Sequence, residues 1–243
     1  MAGRQEVLAL EPRRGLTLVV GLLGAVLCAL SLPAVGERLV ELGARPGLER
    51  LVEGGRLTPE GYGRALGGAA AALDWLAEPR LQKDLALVLH ALASRESGAD
   101  ATGLLIEARR HLEAALEEAP ADPAAWLRLA QLDAALLDLS GAAAALRASH
   151  ALGAVAPEVA VPRAALALGL WDWLAEPLRE RAGSELARSF ARDPPALVRV
   201  AAATGRLDEL RRLLGADPAA LAAFERELAT VRRTASGAAG GAG

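Results

Sequence analysis

No charged residue occurs between Arg14 and Glu37. The run between them is rich in Leu, Val, Gly and Ala and carries Cys28 and Pro33. At 1.5 Å rise per residue, a helix of this length crosses a hydrocarbon core of about 30 Å. Lipid offers no partner to a backbone N–H or C=O, so the chain must pair them within the segment, as a helix does. Residues 13–36 are therefore expected to form one transmembrane helix, with the bilayer as its first partner. Residues 1–12 make a short polar tail with Arg4, Glu6 and Glu11.

A cleaved signal peptide is the alternative. Ala34-Val35-Gly36 offers a small-x-small cleavage site, and cleavage there would release a soluble periplasmic binding module beginning at Glu37. The apolar core is long for a signal peptide, and Pro33 lies close to the cut. A lipoprotein signal wants a small residue before its cysteine, and here Leu27 precedes Cys28. The arginines that orient a span nearly balance: Arg4, Arg13 and Arg14 before it, Arg38, Arg45 and Arg50 after it. The Arg13-Arg14 pair abuts the span, which favours an inside N-terminus. The expectation is a single-pass protein of the bacterial inner (plasma) membrane with a periplasmic helical domain.

Within the span, Thr17, Gly21, Ala25 and Ala29 recur at four-residue intervals. Small residues on one stripe let two helices approach closely in lipid. The stripe predicts a homo-oligomer, or pairing with another membrane protein, through this helix. The competing explanation is that transmembrane helices are rich in Gly and Ala.

Charge narrows the partners further. Lys+Arg 27 against Asp+Glu 30 gives a net charge of −3, which argues against a nucleic-acid partner. Lys83 is the one lysine; an arginine-rich, alanine-rich chain is most simply explained by a GC-rich genome. Aromatic residues are 3%, and alanine takes their place, which suits closely packed helices better than sheets. One cysteine excludes an intrachain disulfide framework.

After the span, residues 37–57 read as a juxtamembrane linker with short helices. Residues 58–233 read as one α-helical domain, and 234–243 as a flexible Gly/Ala tail. Thr58-Pro59 opens the first helix of the domain, with threonine as N-cap and proline in the first turn. Leu81, Leu85, Val88, Leu89 and Leu92 lie at helical spacing on the next. A turn is expected at 95–100, then an amphipathic helix from Leu104 to Ala119. Asp122-Pro123, Pro157, Pro177, Asp193-Pro194-Pro195 and Asp217-Pro218 each introduce a further helix, and Gly205 breaks one. No alternating strand pattern occurs.

Paired helices with this punctuation, at a spacing of about 34 residues, suggest a solenoid of helical hairpins. Trp126, Leu129 and Ala130 fall on the first helix of the best unit, Ala142 and Leu146 on the second. Ala108, Leu112, Ala115 and Pro120 fit the second half of the preceding unit. Gly205 and Asp208 fall in a Gly-x-x-Asp-Glu turn of a later one. This pattern resembles the tetratricopeptide repeat (TPR). The resemblance covers about residues 80–216 and implies an all-α, TPR-like solenoid that acts as a protein–protein interaction scaffold. Departures are Asp133 in a usual aromatic position, a long loop at 95–103, and no motif in 157–192. The layout is also similar to small membrane-anchored TPR proteins of alphaproteobacterial envelopes, which implies a setting such as envelope or surface-polysaccharide assembly.

Nothing in the chain assembles a catalytic or metal-binding motif. His90 and His111 lie on consecutive helices, but no ligand pair at i,i+4 supports them. Ser149-His150 is a sequence neighbour pair without an indicated oxyanion site. Glu117-Glu118 and Asp208-Glu209 read as solvated helix faces, and Lys83 has no Gly-rich phosphate loop. No enzyme activity, cofactor or metal is expected. Partner contacts are expected at Asp133 and at Trp171 or Trp173, which stand two residues apart on the helix predicted from Pro157 and so cannot share a face.

Overall fold

The computed structural model describes residues 45–52, 55–75, 78–153 and 157–240. The described residues are helical throughout, with no strand among them. No helix among them is long and apolar enough to cross a membrane. The predicted span at 13–36, with Thr17, Gly21, Ala25 and Ala29, lies outside the described residues.

The helices are α1 (45–52), α2 (Pro59–Trp75), α3 (Pro79–Ala93), α4 (Gly98–Glu118), α5 (Pro123–Ala135), α6 (Leu139–Leu152), α7 (Pro157–Gly169), α8 (Glu176–Phe190), α9 (Pro194–Ala203), α10 (Leu207–Leu214) and α11 (Pro218–Gly240). A single 3₁₀ turn, Trp171–Trp173, separates α7 from α8. The chain divides into two compact units, Met1–Asp84 and Leu85–Gly243, the division falling within α3.

In the first unit, Thr58 caps α2 through its Oγ1, which accepts the Gly61 N–H at 3.1 Å. Close approach of α1 to α2 is set by small residues: a β-carbon on Gly47 would lie 3.4 Å from Ala65 Cβ. Leu48, Leu51, Leu57, Tyr62, Ala65 and Ala69 are buried.

In the second unit, acidic N-caps recur. Asp122 accepts the Ala124 and Ala125 N–H groups, Asp138 that of Gly141, Asp193 that of Ala196, and Asp217 those of Ala219 and Ala220. Each satisfies donors that a helix start leaves without partners, and three of the four stand before proline. Helices α5 and α6 make the most extensive pair, α7 packs on α8, and α9 on α10. Beyond these pairs, α5 touches α7, α7 touches α9, and α9 touches α11, while α8 touches α10. Every helix here thus meets its neighbour in sequence or the next but one. Alanine permits the approach: Ala108, Ala130, Ala142, Ala164, Ala167, Ala182 and Ala201 are each completely buried.

Two turns in this unit have the same construction. Leaving α5, the Asp138 N–H reaches back to Asp133 O and the Leu137 N–H to Ala134 O. Leaving α9, the Arg206 N–H reaches Ala201 O and the Gly205 N–H reaches Ala202 O. Both are Schellman closures whose pivot is left-handed, Leu137 at φ 63° and Gly205 at φ 69°.

Three local expectations change. The loop expected at 95–103 is mostly helix, because α4 begins at Gly98, whose φ of 66° turns the chain and whose carbonyl accepts the Thr102 hydroxyl. The helix from Pro157 stops at Gly169 before reaching either tryptophan. The backbone of α11 continues to Gly240, beyond Arg233 where a flexible tail is predicted; alanine's helix propensity accounts for the extension.

Candidate functional site

Two buried polar clusters stand out in the second unit. The first joins α4, α5 and α6. Asp133 is 2% exposed and faces Arg109, whose Nε lies 3.1 Å from Asp133 Oδ1. That N–H is aimed at Glu113 Oε1, 2.9 Å away, so Asp133 Oδ1 gains charge neutralisation without a hydrogen bond. Burial pushes the Asp133 carboxyl above its ordinary range; Arg109 opposes this, and Asp138 and Glu113 add to it. Asp138 is held below the carboxylate range by the Gly141 N–H and the Ser140 hydroxyl.

The second cluster joins α6, α7 and α8. Arg163 is 1% exposed. Its Nε and Nη2 donate to Glu185 Oε2 and Oε1 at 2.9 and 2.5 Å, and its Nη1 donates to Ser149 O at 2.9 Å. The guanidinium fork matches the carboxylate plane, which is why arginine serves here where lysine would not. Ser149 Oγ donates to Pro123 O at 2.8 Å and ties α6 to the start of α5. His150 Nε2 lies 3.5 Å from Glu185 Oε2, is buried, and has no hydrogen-bond partner. Burial depresses the His150 imidazole to about 4; Glu185 opposes the shift, while Arg163 and Arg181 add to it. The imidazole is neutral at pH 7.

Over this cluster lies an open groove of about 370 Å³, lined by His150, Arg163, Glu180, Arg181, Ser184, Glu185 and Arg188. Five of these residues come from α8, and 181, 184, 185 and 188 form one stripe at helical spacing. A second open groove of about 490 Å³ shares Glu180 and Ser184 with it and has Trp171 and Leu213 in its lining. Its arginines are paired, Arg179 with Glu176 and Arg212 with Glu209.

Most of the positions named for the repeat resemblance are buried. Ala108, Leu112, Ala115, Leu129, Ala130, Ala142 and Leu146 are buried. Trp126 is half-buried, and its indole N–H donates to Pro120 O at 2.8 Å. Gly205 turns the chain between α9 and α10, and Asp208 is exposed and pairs with Arg211 at 3.2 Å.

The contact residues need correction. Asp133 does not present a polar surface: it is enclosed, and its charge is met by Arg109. Trp171 is also buried, under the Arg179 guanidinium 6.0 Å from its ring centroid. Trp173 is 55% exposed. Burial lowers the His90 and His111 imidazoles, helped by Arg128 and Arg110 respectively. No group of three or more His, Cys, Asp or Glu among the described residues could hold a metal ion.

Arg163, Glu185, Arg181 and Arg188 are absent from the sequence-based candidates. A signal existed: Arg163 interrupts the apolar stripe Ala160-Ala164-Ala167, and Glu185 stands beside the apolar stripe Leu178-Ala182-Leu186. Opposite charges on facing stripes of consecutive helices point to a buried pair. In comparisons with known proteins, no family model matches the chain and no curated protein matches it.

Proposed function

We propose that the protein is a membrane-anchored scaffold for protein–protein interaction, built on TPR-like helical hairpins and held at the membrane by residues 13–36. One observation supports this above the rest: from α5 to α11, first helices of successive pairs touch one another, α5 to α7 to α9 to α11. Helical-hairpin solenoids stack in this way, each unit burying the face its neighbour leaves open. The matching turns at Leu137 and Gly205 agree with a repeat of about 34 residues. Stacked hairpins leave an extended surface for a partner, and an anchor confines that surface to two dimensions. The domain is read as periplasmic, in an envelope-assembly setting given by analogy alone.

The test is site-specific photocrosslinking of the full chain in native membranes, with the reactive residue at Trp173 and, as a buried control, at Trp171. A discrete adduct at Trp173 only is expected; no adduct from any exposed position of α5–α11 removes the scaffold reading. N-terminal sequencing addresses the anchor separately, since a mature start at Glu37 would make the domain a released module. Gly21→Ile and Ala25→Ile test the small-residue stripe: unchanged association in a membrane two-hybrid assay removes its role.

A further inference from the structure

The groove between α6, α7 and α8 carries charge that the fold does not use. Arg163 and Glu185 neutralise each other beneath it. Arg181 and Arg188 line its rim, both exposed, and neither makes an ion pair or side-chain hydrogen bond among the described residues. They stand two turns apart on one stripe of α8, about 10 Å along the helix axis. Ser184 adds a hydroxyl between them, and Glu180 stands at the end shared with the neighbouring groove. Below the rim, His150 is 7% exposed and lines the groove, with its Nε2 enclosed 3.5 Å from Glu185 Oε2.

We propose that this groove binds an extended acidic segment of a partner protein, with two carboxylates seated on Arg181 and Arg188 and the segment lying over His150. The inference rests on the scaffold reading and names the chemistry of the partner. Spacing selects the segment. In a polyproline-II conformation every third side chain falls on one face, about 9 Å apart, close to the separation of the two arginines. Arginine forks suit planar carboxylates, so two such contacts give both affinity and register.

The test is binding of the purified full chain, in detergent, to a short fluorescent peptide with glutamate at every third position. Its controls are the same peptide with glutamine, and inorganic phosphate at equal charge. The acidic peptide is expected to bind and to move the ring signals of His150 in spectra of histidine-labelled protein. The glutamine peptide and phosphate are expected to do neither. Arg181→Ala and Arg188→Ala should each weaken the acidic peptide about tenfold, whereas Arg179→Ala, which removes an arginine already paired with Glu176, should not. Both rim residues are exposed, so folding is checked by an unchanged melting curve. Equal binding by the double variant, equal binding of phosphate, or no binding of the acidic peptide overturns the proposal. In each of those cases a Trp173 crosslink would leave the scaffold reading standing.

Discussion

Arg163 holds Glu185 by two parallel hydrogen bonds between α7 and α8, and the same guanidinium donates its third bond to the Ser149 carbonyl at the end of α6. One side chain therefore fixes three helices at a single point. Both partners are buried, so the energetics differ from those of the surface pairs on the same helix. Removing one charge leaves the other enclosed without compensation, which typically costs 3–5 kcal/mol, roughly the stability of a marginal domain. Arg163→Ala and Glu185→Ala are each expected to lose about that much in urea unfolding. The paired replacement Arg163→Met with Glu185→Leu is expected to recover most of it. Equal loss in the single and paired variants would show that the contact works through shape and not charge.

His150 makes stability depend on pH in a defined direction. Its imidazole falls from 6.5 to about 4 on folding, chiefly through burial. The unfolded chain therefore takes up a proton below pH 6.5 that the folded protein refuses until about pH 4. Stability is unaffected by this group above pH 6.5 and falls as pH drops between those values. The slope is about 1.4 kcal/mol per pH unit, or roughly 3 kcal/mol across the window. Asp133 has the opposite sign, because its raised carboxyl binds a proton more readily when folded. Urea unfolding of wild type and His150→Gln at pH 7, 5.5 and 4.5 isolates the histidine. The variant should lose this slope, and parallel curves would refute the assignment.

At Arg109 and Asp133 the partners are unequal: Asp133 is enclosed, while the Arg109 side chain is 36% exposed. Truncating the arginine should therefore cost more than neutralising the acid. Arg109→Ala is expected to destabilise by about 2–3 kcal/mol, because a buried carboxylate loses the cation beside it. Asp133→Asn should stay within about 1 kcal/mol of wild type, since it removes the charge along with its desolvation. A double-mutant cycle measures the coupling, and additive losses would mean that Glu113 and Asp138, and not Asp133, define the role of Arg109.

Local chemistry made much of the fold legible. Asp122-Pro123, Asp193-Pro194 and Asp217-Pro218 announce helix starts because cap and proline act on their own next few residues. Ala130, Ala142 and Leu146 announce buried faces through helical spacing. What escaped depends on neighbours far along the chain. Asp133 looked like surface because nothing adjacent reveals Arg109 on another helix. Arg163 and Glu185 are separated by a whole turn and a 3₁₀ segment, so neither identifies its partner locally. The groove above them exists only once α6, α7 and α8 are assembled, and so could not be drawn from one helix at a time.

The two Schellman turns give a comparison within one chain. Gly205 adopts its left-handed conformation without a side chain to strain, whereas Leu137 does so as a bulky residue that is 82% exposed. An L side chain in this region costs roughly 1–2 kcal/mol because Cβ crowds the following carbonyl. Leu137 recovers little of that by packing, since its side chain stands in solvent. Leu137→Gly is therefore expected to raise stability by about 1 kcal/mol, and Asn, which tolerates this region, by somewhat less. The reverse change at the matching turn should act oppositely. A β-carbon at Gly205 meets no atom within 4 Å, so the loss in Gly205→Ala, about 1 kcal/mol, would be conformational and not steric. Thermal unfolding of the two variants checks both signs at once. A Leu137→Gly protein no more stable than wild type would mean that the exposed leucine is held by a contact beyond this turn.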